Sequence, residues 1–222
     1  MKAKISEIFY SVQGEGIYQF EPQVFVRFWD CNLDCSFCDT KPVSFKELSS
    51  KEILDKILSF TEVWESVVFT GGEPLCQHKL LREIASLIKE EHKKTYLETN
   101  GVLVENLQEV IDLIDVIAMD FKLPSSTGFK PFWSKHRQFL KVAYGKKVFV
   151  KAVVTLSTEK QDLIQSAKII REVDQKIPFV LQPCFGYEVV LGPKLEEFKQ
   201  EITEIIEDVQ IIPQLHKHIG VR

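Results

Sequence analysis

The chain has 222 residues, of which 45% are hydrophobic, and this is enough apolar material for the core of one domain of ordinary to large size. Its formal net charge of −4 argues against sequence-independent binding of nucleic acid, because such binding needs an excess of Lys and Arg to neutralise phosphates. Five cysteines are an odd number in a chain that needs no disulfides for its stability, so we expect reduced thiols.

The termini and the composition indicate how the chain is organised. The N-terminus lacks the continuous apolar segment of a secretion signal, and no later stretch approaches the roughly 20 apolar residues of a membrane span. No shift of composition, internal repeat or low-complexity segment marks a linker. We therefore expect a cytoplasmic protein in which residues 1–222 form a single domain.

Short segments rich in β-branched and aromatic residues alternate with longer amphipathic segments. This alternation is typical of repeated βα units and a mainly parallel sheet. The segments predicted as strands are 3–10, 24–29, 66–70, 95–99, 116–121, 148–155 and 178–183. Apolar residues at intervals of three and four predict helices over 51–60, 78–92, 106–114 and 159–173.

Local signals refine these elements and indicate the fold. Two helices are predicted to begin with a capping box, formed by Ser49 with Glu52 and by Thr158 with Gln161. The region 124–147 is the least regular and is predicted to mix a loop with a helix. Six or seven strands are fewer than the eight of a closed barrel. The sequence thus predicts an α/β fold, a partial (open) β/α TIM-like barrel with a mainly parallel sheet.

Unusual sequences follow the ends of most predicted strands. In parallel α/β folds, ligands bind at the carboxyl ends of the strands. In chain order these ends carry GEG, three cysteines, GGEP, ETNG, DFKLPSS and QPCFG. We therefore expect one functional site at this rim.

Three cysteines, Cys31, Cys35 and Cys38, lie within the stretch CNLDCSFC. Thiolates are soft ligands that select zinc, copper(I) or iron–sulfur clusters. A structural zinc site needs four ligands, and although Cys76 or Cys184 could supply the fourth, no second pair of closely spaced cysteines exists. We favour a four-iron cluster in which three irons are bound by cysteines and the fourth iron stays open to another ligand.

The cysteine spacing CxxxCxxC, with the aromatic Phe37 before its last cysteine, resembles the signature of the radical S-adenosylmethionine (SAM) superfamily. TGGEP at 70–74 by itself is more typical of a strand-to-helix turn, but together with the cysteines it resembles the Gly-Gly-Glu element of that superfamily. The resemblance implies a [4Fe–4S] cluster whose open iron binds adenosylmethionine. One electron from the reduced cluster would then release a deoxyadenosyl radical.

Four stretches together resemble the 7-carboxy-7-deazaguanine synthases of the queuosine and deazapurine pathway, namely IFYSVQGEG, VFVRFWDCNLDCSFCDT, TGGEPLCQ and IIPQLHKHIGV. This resemblance implies a ring contraction of 6-carboxy-5,6,7,8-tetrahydropterin with loss of ammonia, and so a carbon–nitrogen lyase. It implies adenosylmethionine as a reusable cofactor and Mg²⁺ at the site. It further implies a homodimer and an electron donor such as flavodoxin or ferredoxin.

The same resemblance implies roles for individual residues. The cluster ligands would be Cys31, Cys35 and Cys38, and the Mg²⁺ ligand would be Thr40. The cofactor-binding residues would be Phe37, Cys38, Asp39, Gly72, Glu73, Asp120, Phe121, Lys122 and Gln182. The substrate-binding residues would be Val12, Gln13, Gly14, Glu15, Arg27, Thr70, His216 and Arg222. Members of the family commonly have Ser-Pro-Lys where this chain has Asp-Phe-Lys at 120–122.

Two of these assignments have alternatives. Arg27 lies on an apolar strand, where its planar guanidinium suits a carboxylate of the substrate or an acidic side chain of the rim. Thr40 offers a hydroxyl to a hard ion, but Asp39 and Thr40 are also typical of a helix cap.

Two other functions stay open from the sequence. An activase that makes a glycyl radical on a partner protein shares the cysteine and GGEP motifs, yet it does not need QGEG, Arg27 and Thr40. A redox or structural metal-binding module needs only the cysteines. Magnesium-independent activity after removal of Thr40 would favour the activase. Zinc in the isolated protein, with no cleavage of adenosylmethionine, would favour the metal-binding module.

Overall fold

The computed structural model describes residues 1–35, 38 and 44–220. These residues form one sheet of nine strands in the order β3-β1-β2-β4-β5-β6-β7-β8-β9. The strands are β1 (Ala3–Val12), β2 (Pro22–Phe28), β3 (Lys46–Leu48), β4 (Ser66–Gly71), β5 (Lys94–Thr99), β6 (Val116–Asp120), β7 (Lys147–Val154), β8 (Phe179–Pro183) and β9 (Val209–Ile211). The α-helices are α1 (Ser50–Leu58), α2 (His78–Glu90), α3 (Val104–Gln108), α4 (Pro124–Thr127), α5 (Trp133–Ala143), α6 (Lys160–Val173), α7 (Glu188–Thr203) and α8 (Leu215–Ile219).

The sheet is mainly parallel and open. Strand β2 and strands β4 to β9 run parallel, whereas β1 pairs antiparallel with both β2 and β3. The edges are β3 and β9, which do not pair with one another in the described chain. The predicted α/β fold with a partial, open barrel is confirmed.

Alternate side chains of the central strands face two apolar layers. Val67 and Phe69 of β4 join the large cluster that the helices cover, where they meet α2 side chains such as Leu81 and Ile84. The intervening Val68 joins a second cluster on the other face of the sheet. Because both faces are buried, as parallel strands require, polar side chains collect at the strand ends. The second cluster contains Phe9, Phe25, Val68, Tyr96, Val116, Ala118, Phe149 and Val180.

The helices confirm some local predictions and correct others. The capping box of α1 is present, because the Ser49 hydroxyl accepts a hydrogen bond from Glu52 N and Glu52 accepts one from Ser49 N. The second box is wrong, because Thr158 Oγ1 accepts from Thr155 N at 2.7 Å and α6 begins only at Lys160.

Other differences concern short or interrupted elements. The segment 106–114 is not one helix, since α3 ends at Gln108 and a 3₁₀ turn follows over Ile111–Leu113. The region 124–147 contains α4 and α5, as the predicted mixture of loop and helix implies. Strands β3 and β9 have three residues each, too few for a pattern, and α7 contains Pro193, which usually disfavours a helix. Within the described ranges, every helix is too short or too polar to cross a membrane.

Candidate active site at the carboxyl rim

A cavity of about 480 Å³ opens at the carboxyl ends of the parallel strands. Its wall includes residues that follow or end β2, β4, β5, β6, β7 and β8, as the topology predicts. The residues that line it are Glu15, Trp29, Cys31, Leu33, Asp34, Cys35, Cys38, Thr70, Gly71, Gly72, Glu98, Thr99, Asn100, Asp120, Lys122, Lys151, Val153, Gln182, Cys184, Phe185, Gln214 and Lys217.

The three clustered cysteines all line this cavity. Cys31 and Cys38 are exposed and Cys35 is buried, and the Cys38 amide donates to Cys35 O at 3.1 Å. Burial raises the pKa of Cys31 and of Cys35. Among the described side chains, no three potential metal ligands already stand together in a binding geometry. The donor set itself, three thiols on one cavity wall, fits an iron–sulfur cluster with an open position.

Two glycines bring the GGEP turn against the segment that leads into the cysteines. A Cβ at Gly72 would lie 2.2 Å from Asp30 O, and a Cβ at Gly71, whose φ is +115°, would lie 2.3 Å from Phe28 O. The amides of Gly72 and Glu73 donate to Phe28 O at 2.9 Å and to Asp30 O at 2.7 Å. The glycines thus allow direct backbone contact between the two motifs.

Glu73 is fully buried behind this turn. Its carboxylate accepts hydrogen bonds from Leu75 N at 3.1 Å, from Asn100 N at 2.7 Å and from Thr99 Oγ1 at 2.9 Å. Burial raises the pKa of Glu73 to about 7, although these hydrogen bonds work in the opposite direction. Glu73 also caps the 3₁₀ turn Pro74–Gln77, which agrees with the strand-to-helix-turn interpretation of this motif, and it is not among the residues that line the cavity.

Asn100 links the Glu73 network to the cysteine loop, and the sequence motifs did not single it out as a site residue. Its side-chain amide donates to Asn32 Oδ1 at 2.8 Å. Its carbonyl oxygen lies 3.2 Å from Nε2 of the buried His136. The ETNG sequence at the end of β5 is the feature from which a role of Asn100 in the site could have been predicted.

The end of β6 presents unsatisfied acceptors to the cavity. Lys122 Nζ lies 2.9 Å from Asp120 Oδ2, whereas Asp120 Oδ1 is buried and has no partner among the described residues. Gln182 Oε1, also on the cavity wall, is likewise buried and has no partner among the described residues. A buried acceptor without a donor is unfavourable, so these two atoms fit a ligand that carries hydroxyl or amino groups. Phe121 does not line the cavity, and its ring stacks on His136 at 4.5 Å.

A smaller cavity of about 70 Å³ adjoins the first, and Glu15, Thr70 and Glu98 line both. Seven of the predicted substrate-binding residues meet here, together with three residues that were not predicted. The lining consists of Phe9, Val12, Gln13, Gly14, Glu15, Phe25, Arg27, Thr70, Glu98 and His216.

Glu98 is the centre of a polar network that sequence reasoning missed. Its Oε1 accepts from Gln13 Nε2 at 3.1 Å, and its Oε2 accepts from Thr70 Oγ1 at 2.6 Å. Gln13 Nε2 also donates to Gln23 Oε1 at 3.2 Å. The available signal was an acidic residue inside the apolar strand β5, where an unpartnered charge would be costly.

Arg27 forms an ion pair within the sheet and also lines the smaller cavity. Its guanidinium lies 3.6 Å from Glu7 Oε2 and 5.0 Å above the ring centre of Phe9. Glu7 is its neighbour in the antiparallel β1–β2 register, so the structural ion pair with an acidic residue is present. Arg27 nevertheless lines the smaller cavity, and its buried Nε has no partner among the described residues.

The C-terminal segment packs on the QGEG loop. Leu215 N donates to Gly14 O at 2.8 Å, and Gln19 Nε2 donates to Pro213 O at 2.8 Å. A Cβ at Gly14 would lie 2.5 Å from His216 Nδ1, so this glycine is required for close packing. The tail therefore covers one side of the smaller cavity, as predicted for His216. Four predicted residues, Phe37, Asp39, Thr40 and Arg222, lie outside the described residues.

Comparisons with known proteins agree with this arrangement. The model of the radical SAM superfamily matches residues 30–176. A curated 7-carboxy-7-deazaguanine synthase of Geobacter sulfurreducens is 36% identical over 98% of this chain and 97% of its own length. One of Archaeoglobus fulgidus is 35% identical over the full length of both.

Solved structures agree on the fold. The crystal structure of QueE from Escherichia coli has a TM-score of 0.69 at 19% identity, and the match covers 97% of this chain and 95% of that one. A structure of TYW1 with a lysine-pyruvate adduct bound has a TM-score of 0.60 at 14% identity, over 82% of this chain and 73% of that one. At these identities the likeness concerns the fold alone.

Proposed function

The chain belongs to the radical SAM superfamily and, within it, to the 7-carboxy-7-deazaguanine synthases, and from this premise we propose that its two adjoining cavities form one active site. The reaction is the radical-mediated ring contraction of 6-carboxy-5,6,7,8-tetrahydropterin to 7-carboxy-7-deazaguanine with loss of ammonia. The observation that carries the proposal is the shared wall: Glu15, Thr70 and Glu98 line both cavities, so a cofactor in the larger one would lie against a substrate in the smaller one.

The larger cavity holds the cofactor in this proposal. Cys31, Cys35 and Cys38 would bind a [4Fe–4S] cluster, and Gly72 on the cavity wall would contact the amino group of adenosylmethionine, with the buried Glu73 directly behind it. When bound, these groups would supply the radical chemistry, a reversible transfer of a hydrogen atom between substrate and cofactor. The acceptors Asp120 Oδ1 and Gln182 Oε1 receive hydroxyl or amino donors of the cofactor, which removes their unfavourable isolation.

The smaller cavity holds the pterin. Gln13, Glu15 and Glu98 offer an amide and two carboxylates, which suit the amino and ring N–H donors of an aminopyrimidine edge. Arg27 turns its guanidinium from Glu7 toward the carboxylate of the substrate, because a planar fork binds a carboxylate through two parallel hydrogen bonds. His216 and the tail close one side and exclude water. Chemistry of this difficulty belongs to the cofactor, while these side chains supply orientation and electrostatics.

Other parts of the proposal go beyond the described residues. Thr40 is the proposed ligand of Mg²⁺, since one protein hydroxyl with water and substrate oxygens is a reasonable coordination for this ion. Residues 1–222 are proposed to form a single radical SAM core domain. We also propose a homodimer and a small one-electron donor protein of the flavodoxin or ferredoxin type.

The experiment is an anaerobic assay with cluster-reconstituted protein, reductant, adenosylmethionine, Mg²⁺ and 6-carboxytetrahydropterin, followed by mass spectrometry. We expect 7-carboxy-7-deazaguanine with the wild-type chain and none with Cys35→Ser. Deoxyadenosine without deazapurine would contradict the ring contraction and favour the activase. Zinc in the isolated protein and no cleavage of adenosylmethionine would favour a metal-binding module.

A further inference from the structure

Lys151 is a buried lysine in the middle of β7 that no sequence motif predicted. Its side chain is 10% exposed, and its ammonium group contacts Oε2 of Glu15, whose side chain is 16% exposed. Lysine is almost never buried unless it is paired, because removing an ammonium group from water is costly. The pair with Glu15 explains how the fold tolerates this lysine, and the position of Glu15 indicates what it contributes.

Both carboxylate oxygens of Glu15 are held by groups that are far away in sequence. Lys151 binds Oε2, and Gln214 Nε2 donates to Oε1 at 2.7 Å. Gln214 precedes the helix α8, which lies on the QGEG loop. The two contacts fix the orientation of a carboxylate that lines both cavities.

The charges around this carboxylate explain why a cation is needed. Glu98 of β5 lines the same two cavities as Glu15, so two carboxylates share this small space and their negative charges repel each other. Asp120 of the neighbouring strand β6 adds a third acidic group, and Lys122 beside it is a further cation. Burial alone would lower the pKa of Lys151, but Glu15, Asp120 and Glu98 outweigh it and raise this pKa. The lysine is therefore charged and faces all three carboxylates.

We propose that Lys151 is a positioning residue that supplies the counter-charge of Glu15 and, together with Gln214, aims its carboxylate at the amino and ring N–H donors of the pterin. The inference rests on the proposed function, in which Glu15 accepts hydrogen bonds from the substrate. An ionised carboxylate offers only acceptors, whereas a protonated one presents an O–H donor to the donors of the pterin. Loss of the ammonium group leaves Glu15 and Glu98 without their shared counter-charge and removes one of the two contacts that orient Glu15.

The first test compares Lys151→Met, which removes the charge but keeps most of the side-chain volume, with Lys151→Arg, which keeps the charge. The control is Lys147→Met, at the exposed first residue of the same strand. Binding of 6-carboxytetrahydropterin to the cluster-reconstituted full chain is measured anaerobically by calorimetry without reductant, so that no turnover occurs.

Lys151→Met is expected to weaken pterin binding about 10- to 100-fold, the loss of one hydrogen bond to a charged group. The same change should appear in KM far more than in kcat, and Lys151→Arg should recover most of it. Lys147→Met should bind the pterin as the wild type does. Wild-type affinity in Lys151→Met would overturn the proposal.

A second readout separates positioning from a general structural role. In Glu15→Gln the carboxylate is absent, so adding Lys151→Met to that variant should cost little further affinity. If the two substitutions each reduced pterin affinity by their full factor in the double variant, the proposal would be overturned.

The outcomes distinguish this inference from the proposed function. Failure of the wild-type chain to bind the pterin or to form deazapurine would refute the function itself. A working wild type with an equally good Lys151→Met variant would refute only the role of Lys151. If Lys151→Met does not fold, two variants that leave no unpaired charge at this pair replace it. Lys151→Arg keeps both charges and Glu15→Gln/Lys151→Met removes both, and their affinities for the pterin are compared.

Discussion

The two ends of β6 carry acidic residues in opposite states. At the amino end, both oxygens of Asp115 accept from Lys89, at 2.5 and 2.6 Å, and Thr95 N donates to Oδ2 at 2.8 Å. At the carboxyl end, Asp120 binds Lys122 through one oxygen, while the other is buried without a partner in the described chain. A satisfied network holds the sheet together, whereas an unsatisfied acceptor on a cavity wall is available to a ligand.

The same contrast extends to the other strands. The amino ends and the helices are stabilised by local or fully paired contacts, as in the capping box of Ser49 and Glu52. The carboxyl ends instead place acceptors on a cavity wall, and Asp120 Oδ1 and Gln182 Oε1 have no partner among the described residues. Such acceptors contribute little to the stability of the free protein and are satisfied only by a ligand. Substitutions at the two ends should therefore affect different properties.

The largest expected effect is at the cysteines. Cys35→Ser should remove the proposed cluster and reduce deazapurine formation below detection, because the radical chemistry depends on the cofactor. Cys76→Ala should keep the iron content of the wild type, since Cys76 does not line the cavity. Iron analysis and absorption spectra after anaerobic reconstitution check both variants. Loss of the cluster in Cys76→Ala would indicate a four-thiolate site.

Asp120→Asn tests the unsatisfied end. Its amide oxygen can still accept from Lys122, and its NH₂ group occupies the position that has no partner, so stability should change by less than about 1 kcal/mol. Affinity for adenosylmethionine should fall about 10- to 100-fold, because an acceptor becomes a donor. Equilibrium dialysis and denaturant unfolding measure the two quantities. A stability loss without an affinity loss would mean that Asp120 is structural.

Asp115→Asn is the matched change at the satisfied end. Both oxygens of Asp115 already accept, so the new NH₂ group must face a donor, and the free energy of unfolding should fall by about 1–3 kcal/mol. Affinity for adenosylmethionine should equal that of the wild type. The same dialysis and unfolding experiments check this variant. An effect on cofactor affinity as large as that of Asp120→Asn would remove the distinction between the two ends.

His136 gives a pH-dependent test of the layer below the cavity. Burial lowers the pKa of His136 from 6.5 to about 3, so the unfolded chain takes up a proton in this range while the folded chain does not. Stability should therefore fall as the pH drops from about 6.5 to about 3, by up to about 1.4 kcal/mol per pH unit. His136→Phe keeps a ring against Phe121 but removes the titrating group. The slope of the unfolding free energy against pH should therefore decrease by the contribution of one proton. Urea unfolding between pH 4 and 7 measures it, and an unchanged slope would contradict the assignment.

The smallest effect is expected far from the site. Ser49→Ala should lower the free energy of unfolding by about 1 kcal/mol, because the capping box of α1 is lost. Its kcat and KM should be those of the wild type. Ser50→Ala, at the next position, serves as the control for the hydroxyl itself. A clear change in kcat or KM of Ser49→Ala would show that the start of α1 affects the active site.

Motifs and periodicity predicted the elements whose information is local. The alternating segments indicated most strands and helices, and the spacing of Cys31, Cys35 and Cys38 indicated the chemistry. The partners of the site could not be predicted in this way, because they are distant in sequence. Lys151 pairs with Glu15 across 136 positions, and Gln13 meets Glu98 across 85. The sequence around Lys151 or Glu98 does not identify the partner of either residue, and only the strand order brings them to Glu15 and Gln13.

Local sequence signals also gave wrong predictions where a tertiary contact determines the structure. Thr158 had the sequence of a helix cap, but its hydroxyl bonds Thr155 N and lies 2.7 Å from Ser126 Oγ, and the helix begins later. Helix α7 forms despite Pro193, because Leu191, Leu195 and Phe198 bury one face against the sheet. In both cases packing outweighs local propensity.

The measurement that tests the central claim most directly is the number of deazapurine molecules formed per adenosylmethionine supplied, at a cofactor concentration well below that of the pterin. A hydrogen atom that is taken and returned leaves the cofactor intact, so we predict many products per adenosylmethionine, with one ammonia released for each. A yield that stops at one product per cofactor, with equal deoxyadenosine, would contradict the returned hydrogen. Deoxyadenosine with no deazapurine would contradict the ring contraction itself.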